Sequence, residues 1–144
     1  MAIHLSCIDF LVQLNRSVSA DTVVASIPGS GSPLLEQVIT YIHEHYGEPV
    51  TLQDTAKKFF VSPSTIEHQF TEKLGWSFYR YVTKRRIIEA RNQITAGVPL
   101  KTACQNCGYA DYSNFYKAFT REVGMTPSQF RRFGQRQVLE TLIE

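Results

Sequence analysis

The residues best placed to do chemistry in this sequence are Tyr112, Ser113, Tyr116 and Lys117, which fall near the start of one helix. Phenol and hydroxyl groups both donate and accept, and an ammonium only donates. Such a set suits a helix whose outer face touches something. Cys104-Gln-Asn-Cys107 is a CxxC pair. A zinc site needs four ligands, and Cys7 is the only other cysteine, while His43, His45 and His68 show no partner spacing. A redox pair of this type would need a βαβ setting, which the pattern lacks. Inside a short helix the two thiols fall at i and i+3 and face the core or the turn, so they read as structural. His43-Glu-His45 has the wrong spacing for one helical face and reads as surface polar residues. There is no Ser/His/Asp signature, carboxylate pair or Gly-rich phosphate loop. The sequence therefore implies no enzyme, no catalytic residue, no metal and no cofactor.

Capped helices position these groups. Asp111 can accept from the free N–H groups that open a helix. Phe115, Phe119 and Val123 recur every fourth residue and form its inner stripe, which leaves the four polar residues outward. Gly124 ends that helix, and Thr126-Pro-Ser-Gln129 reads as a capping box with Pro at the first helical position. Earlier in the chain, residues 2–18 carry Ile3, Leu5, Ile8, Leu11, Val12 and Leu14 at helical spacing, so residues 1–20 form one amphipathic helix. Residues 21–32 are rich in Ser, Gly and Pro and read as a flexible linker. Ser32-Pro33 opens a helix buried through Leu34, Leu35, Val38, Ile39 and Ile42. Thr51-Leu-Gln-Asp54 is a second capping box, followed by Leu52, Thr55, Ala56 and Phe59 as a stripe. Ser62-Pro63 caps a helix with Ile66, Phe70 and Leu74 inside and Gly75 as stop. A long helix follows over 77–96, with Phe78, Val82, Ile88 and Ile94 inside. Pro99 begins a short helix reaching about Cys107. Residues 134–144 form a C-terminal tail that either extends as a loosely attached helix or frays. No alternating β pattern of any length occurs. The fold class is all-α, with about seven helices between Ser32 and Phe133.

Overall charge is only +2 over 144 residues. Its distribution says more: residues 33–133 hold 13 Lys and Arg against 9 Asp and Glu, while both flanks are slightly acidic. Lys84-Arg-Arg86 and Arg131-Arg132 are local basic runs, a weak footprint of a nucleic-acid partner. No run approaches the ~20 apolar residues of a membrane span. The start of the chain lacks the basic and apolar regions of a signal peptide. Three cysteines, an odd number, suit reduced thiols. The expected location is the cytoplasm of a bacterium.

Slid by 48–49 residues, the chain falls on itself. Val50–Ala56 meets Val98–Cys104, Ser62 meets Asp111, Ile66 meets Phe115, Phe70-Thr71 meets Phe119-Thr120, and Gly75 meets Gly124. Each copy is a short helix, a turn and a capped second helix: a helix-turn-helix outline. Leu52 with Ala56, Ser62 to Phe70, Gly75, Arg86 with Ala90, Gly108-Tyr109, Phe115 to Phe119, Gly124, Thr126-Pro127-Ser128 and Phe130-Arg131 together resemble the DNA-binding domain of the AraC/XylS family of bacterial transcription regulators. The resemblance covers residues 33–133. Phe60 stands where the family's first turn usually has Gly, Cys104 replaces an expected Ala, and the first recognition helix is poor in Arg and Lys.

The resemblance implies a bipartite domain. Two helix-turn-helix subdomains joined by the long central helix place recognition helices at about 62–73 and 111–123 in successive major grooves. Twenty residues at 1.5 Å each give that central helix ~30 Å, close to the ~34 Å turn of B-DNA it must span. Carried over residue by residue, base contact falls on Ser64, Thr65 and His68, with Glu67 beside them, and on Tyr112, Ser113, Tyr116 and Lys117. Phosphate contact falls on Lys57, Lys84, Arg86, Lys101 and Arg121. Double-stranded DNA is the implied partner, with RNA polymerase as a further one. Residues 1–20 resemble the tail end of a regulatory domain. That makes the chain a fragment of a longer regulator, with any small-molecule effector bound outside it and a homodimer formed through residues 1–20. The rival reading is a helical protein–protein interaction module, for example one contacting RNA polymerase, without specific base readout.

Overall fold

The computed structural model describes residues 32–143. These form seven α-helices: α1 Pro33–His45, α2 Leu52–Lys58, α3 Pro63–Leu74, α4 Phe78–Thr95, α5 Leu100–Asn106, α6 Tyr112–Val123 and α7 Pro127–Ile143. No strand occurs among the described residues, as the absence of alternation predicts. The amphipathic stretch of residues 1–20 and nearly all of the linker lie outside the described residues.

The helix ends follow from local chemistry. The Ser62 hydroxyl accepts from the Thr65 N–H at 3.2 Å, and Gly75 closes α3 at φ +74. The Asp111 carboxylate accepts from the Ser113 N–H at 2.9 Å, and Gly124 closes α6 at φ +84. Only glycine takes that left-handed conformation without cost. The box at Thr126 and Gln129 is reciprocal: the Thr126 hydroxyl accepts from the Gln129 N–H, and Gln129 Oε1 accepts from the Thr126 N–H. At Thr51 one arm differs. The hydroxyl accepts from the Asp54 N–H but donates to the Asp54 carboxylate at 2.8 Å. Aspartate is one methylene shorter than the glutamate of a full box, and its carboxylate meets the hydroxyl. α5 begins after Pro99 with no side-chain cap, and α7 continues as helix through residues 134–143.

The chain divides into two compact units between Arg85 and Arg86, within α4. The first unit packs α1, α2, α3 and the start of α4. Its core holds Leu35, Val38, Ile39, Ile42, Ala56, Ile66, Phe70, Phe78, Tyr81 and Val82. Phe70 is wholly buried and meets Phe78 and Tyr81 edge-on at 5.6 and 5.4 Å between centroids. Removing a ring at such a site costs ~3–5 kcal/mol. The second unit packs the rest of α4 with α5, α6 and α7. Its core holds Ile87, Ala90, Ile94, Ala103, Cys104, Cys107, Phe115 and Phe119. Phe119 touches Phe115 on one side and Phe130 of α7 on the other, each at 5.6 Å.

His43 is not the surface residue its spacing suggests. Its Nε2 lies 2.9 Å from the Tyr81 hydroxyl. Burial, with the Arg85 charge second, lowers its pKa to about 4. His45 instead faces Glu48 at 3.1 Å. Cys104 and Cys107 are core residues, and the Cys104 thiol donates to the Tyr109 carbonyl at 3.6 Å.

Candidate nucleic-acid interface

Each unit contains one helix-turn-helix, and the two turns share a hydrogen-bond register. After α2 the Phe60 N–H donates to the Lys57 carbonyl and the Val61 N–H to the Ala56 carbonyl. After α5 the Gly108 N–H donates to the Gln105 carbonyl and the Tyr109 N–H to the Cys104 carbonyl. Every partner in the second set lies 48 residues beyond its counterpart, except Tyr109's acceptor and donor, which keep the same offset through Cys104 and Val61. In both turns one residue is left-handed: Phe60 at φ +56 and Gly108 at φ +88. That bond pattern turns the chain sharply, so the second helix of each pair begins with its first turn facing solvent.

In α6 the exposed face is the one the sequence predicts. Phe115, Ala118 and Phe119 point inward. Tyr112, Ser113, Tyr116 and Lys117 are exposed, the two phenols at 38% and 42%. The Tyr112 ring leans on Phe115 at 5.6 Å. Partial burial, then Cys104 and Tyr116, push its pKa above the usual phenol value, so it stays a neutral donor and acceptor. Asn114 is exposed in the same first turn and was missed by sequence reasoning. Its signal is plain in retrospect: it lies three residues before Lys117, on a neighbouring part of the same face.

In α3 the candidates are also exposed but more engaged. Ser64, Thr65 and His68 face solvent. The Thr65 hydroxyl lies 2.8 Å from the Ser62 hydroxyl within the cap. His68 Nε2 lies 2.9 Å from Glu72 Oε2. Glu67 turns back instead of outward: its carboxylate accepts from the Phe78 N–H at 3.3 Å.

Among the expected phosphate contacts, Lys57, Lys101 and Arg121 are exposed, each within reach of solvent-borne anions. Arg86 is half-buried, with its guanidinium 5.5 Å from the Tyr109 ring centroid. Lys84 does not fit the role. It is 2% exposed, and its ammonium sits 4.6 Å over the Trp76 ring. A residue so covered cannot meet a phosphate. The basic run at 84–86 misled because consecutive residues on a helix face different ways.

A helix-turn-helix domain family matches residues 55–132 of the chain. The uncharacterized HTH-type transcriptional regulator YdiP of Escherichia coli K12 is 34% identical over 113 residues, which cover 74% of this chain and 37% of YdiP. An AraC-like transcription regulator of Streptomyces antibioticus is 27% identical over 135 residues, 92% of this chain and 45% of that protein. The chain thus spans less than half the length of these relatives. Among solved structures, the C-terminal domain of AraT, a response regulator from Geobacillus stearothermophilus, is 29% identical, covers 71% of this chain and 86% of its own, and superposes with a TM-score of 0.69. The DNA-binding domain of AdpA, solved with a target DNA, shares the fold at 20% identity and a TM-score of 0.69, over 74% of this chain and 96% of that one.

Proposed function

The chain belongs to the AraC family of helix-turn-helix transcription regulators, and from that premise we propose that it is a sequence-specific DNA-binding regulator whose α3 and α6 enter successive major grooves of one duplex. The observation that carries this reading is the outward face of α6: two phenols, a hydroxyl and an ammonium, exposed together on a helix whose other side is locked into a core. An α-helix fits the major groove, where base edges present the acceptors such groups recognise. Lys57, Arg86, Lys101 and Arg121 are the proposed phosphate contacts, which fix register without reading sequence. The fold shared with the DNA-bound AdpA domain supports the same reading. α4 has 18 residues and is ~27 Å long at 1.5 Å per residue, so a duplex of ~34 Å per turn bends to meet both helices.

Finer assignments belong to this proposal as well. The chain acts in the bacterial cytoplasm, where its DNA is. Residues 1–20 pair two copies, and any effector is bound by a part of the regulator beyond residues 1–144. RNA polymerase is the further partner. An interaction module without base readout is the weaker reading, because it leaves the donor face of α6 without a target.

Hydroxyl-radical footprinting on sites selected from random DNA tests the proposal. Two protected patches about one helical turn apart on one face of the duplex are expected. A single patch, or binding equally strong to scrambled DNA, defeats it.

A further inference from the structure

We infer that the two recognition helices divide the work: α6 reads bases, while α3 holds the duplex mainly through its backbone, so the operator has one specified half-site and one nearly degenerate half-site. This rests on the DNA-binding reading above and concerns what each helix has left to offer a base edge.

In α3 most of the polar groups are already committed. Glu67 is spent on the start of α4, where it accepts from the Phe78 N–H. Thr65 shares its hydroxyl with the Ser62 cap at 2.8 Å. His68 is held against Glu72 at 2.9 Å. Among the candidates, only the short Ser64 hydroxyl has no side-chain partner among the described residues. The charges agree. α3 carries Glu67 and Glu72 against a single Lys73, and Glu72 lies on the exposed side with His68. A carboxylate accepts but never donates, so it meets only the amino groups of cytosine and adenine and repels the phosphates on either side.

α6 has the opposite character. Lys117 and Arg121 are exposed, and its one acid, Glu122, has a side chain only 3% exposed. Ser113, Tyr116 and Lys117 form no side-chain bond with any described residue. An uncommitted ammonium donates to guanine O6 and N7, the pair of acceptors that marks guanine in the major groove. The neighbouring phenol rings offer apolar contact to a thymine methyl group. The half-site taken by α6 therefore contains a guanine with a thymine beside it. The half-site taken by α3 is held through Lys57 and the phosphate backbone.

The test uses the full chain of 144 residues. Sites are selected from random duplexes, and affinities are then measured on the selected site and on versions with each base pair changed. The selected sites should agree at a few adjacent positions in one half only. Lys117→Ala should lose about ten- to a hundredfold on the selected site and flatten the preference at one position. Ser64→Ala and His68→Ala should each lose less than about threefold, equally on every sequence. Two equally specified half-sites, or an α3 variant that relaxes the preference at any position, overturns the division while leaving DNA binding intact. Failure to enrich any sequence overturns it together with the function on which it rests.

Discussion

Phe60 has φ +56 and a side chain 95% exposed, so its backbone is strained and its ring packs on nothing within the unit. Its equivalent 48 residues on is Gly108, at φ +88 in the same hydrogen-bonded turn. A left-handed conformation costs a residue with a Cβ about 1–2 kcal/mol, and glycine gives back about 0.5–1 kcal/mol through its looser unfolded chain. Phe60→Gly should therefore raise the stability of the first unit by roughly 0.5–1 kcal/mol, whereas Phe60→Ala, which keeps a Cβ, should change it little. Trp76 is the sole tryptophan and lies in the same unit, so its fluorescence during urea unfolding reads the difference. A Gly variant less stable than the parent would mean that the ring has contacts the structure does not show. The need for a left-handed residue was legible in the sequence, because the repeat sets Phe60 on a glycine. What the sequence could not supply was the exposure. A phenylalanine between a lysine pair and a valine reads as core until the turn carries it outward.

At the scale of elements, the His43–Tyr81 bond ties α1 to the first turns of α4 inside the first unit. Burial, and then the Arg85 charge, hold His43 at about 4 against an ordinary 6.5. The folded state thus binds the proton later than the unfolded state does. Above pH 6.5 both states carry a neutral imidazole, and stability does not depend on this group. Below that the unfolded chain takes up the proton first, so stability falls with pH until it levels off beneath about 4. A shift of that size is worth roughly 3 kcal/mol. Urea midpoints by Trp76 fluorescence should drop between pH 6.5 and 4, and His43→Gln should flatten that drop even at the cost of some stability at pH 8. An unchanged slope in the variant would assign the drop to carboxylates. The helices themselves were legible: Ser and Thr caps, Gly stops and apolar stripes placed nearly every boundary. Side-chain fates on the shared helix were not. Lys84 and His43 both look solvent-facing from type and spacing. Lys84 is covered by Trp76, eight residues before it, and His43 by Tyr81, 38 residues after it. Periodicity says which face a residue lies on but not what lies over that face.

For the whole molecule, a net charge of +2 conceals a DNA-binding surface, because acidic groups are folded away from it or lie elsewhere. Glu122 has an almost wholly buried side chain, and Glu67 is turned into the start of α4. Affinity for DNA should therefore depend on salt as a small set of exposed cations dictates. It should not follow the formal charge. Each neutralised phosphate contributes about −0.9 to the slope of log affinity against log salt. Lys57, Arg86, Lys101 and Arg121 acting as phosphate contacts give a slope near −4, and Lys117 on a base edge adds little to it. Lys57→Ala, Lys101→Ala and Arg121→Ala should each make the slope shallower by about one while leaving sequence preference as it was. Lys117→Ala should leave the slope nearly unchanged and alter the preference. Fluorescence anisotropy on one selected duplex from 50 to 300 mM salt separates the two classes, on the order of a tenfold change in affinity for each phosphate lost across that range. If Lys117→Ala instead shifts the slope by one and Arg121→Ala changes the preference, the roles along α6 are reversed. The reading face would then lie one turn further along the helix than the exposed tyrosines indicate.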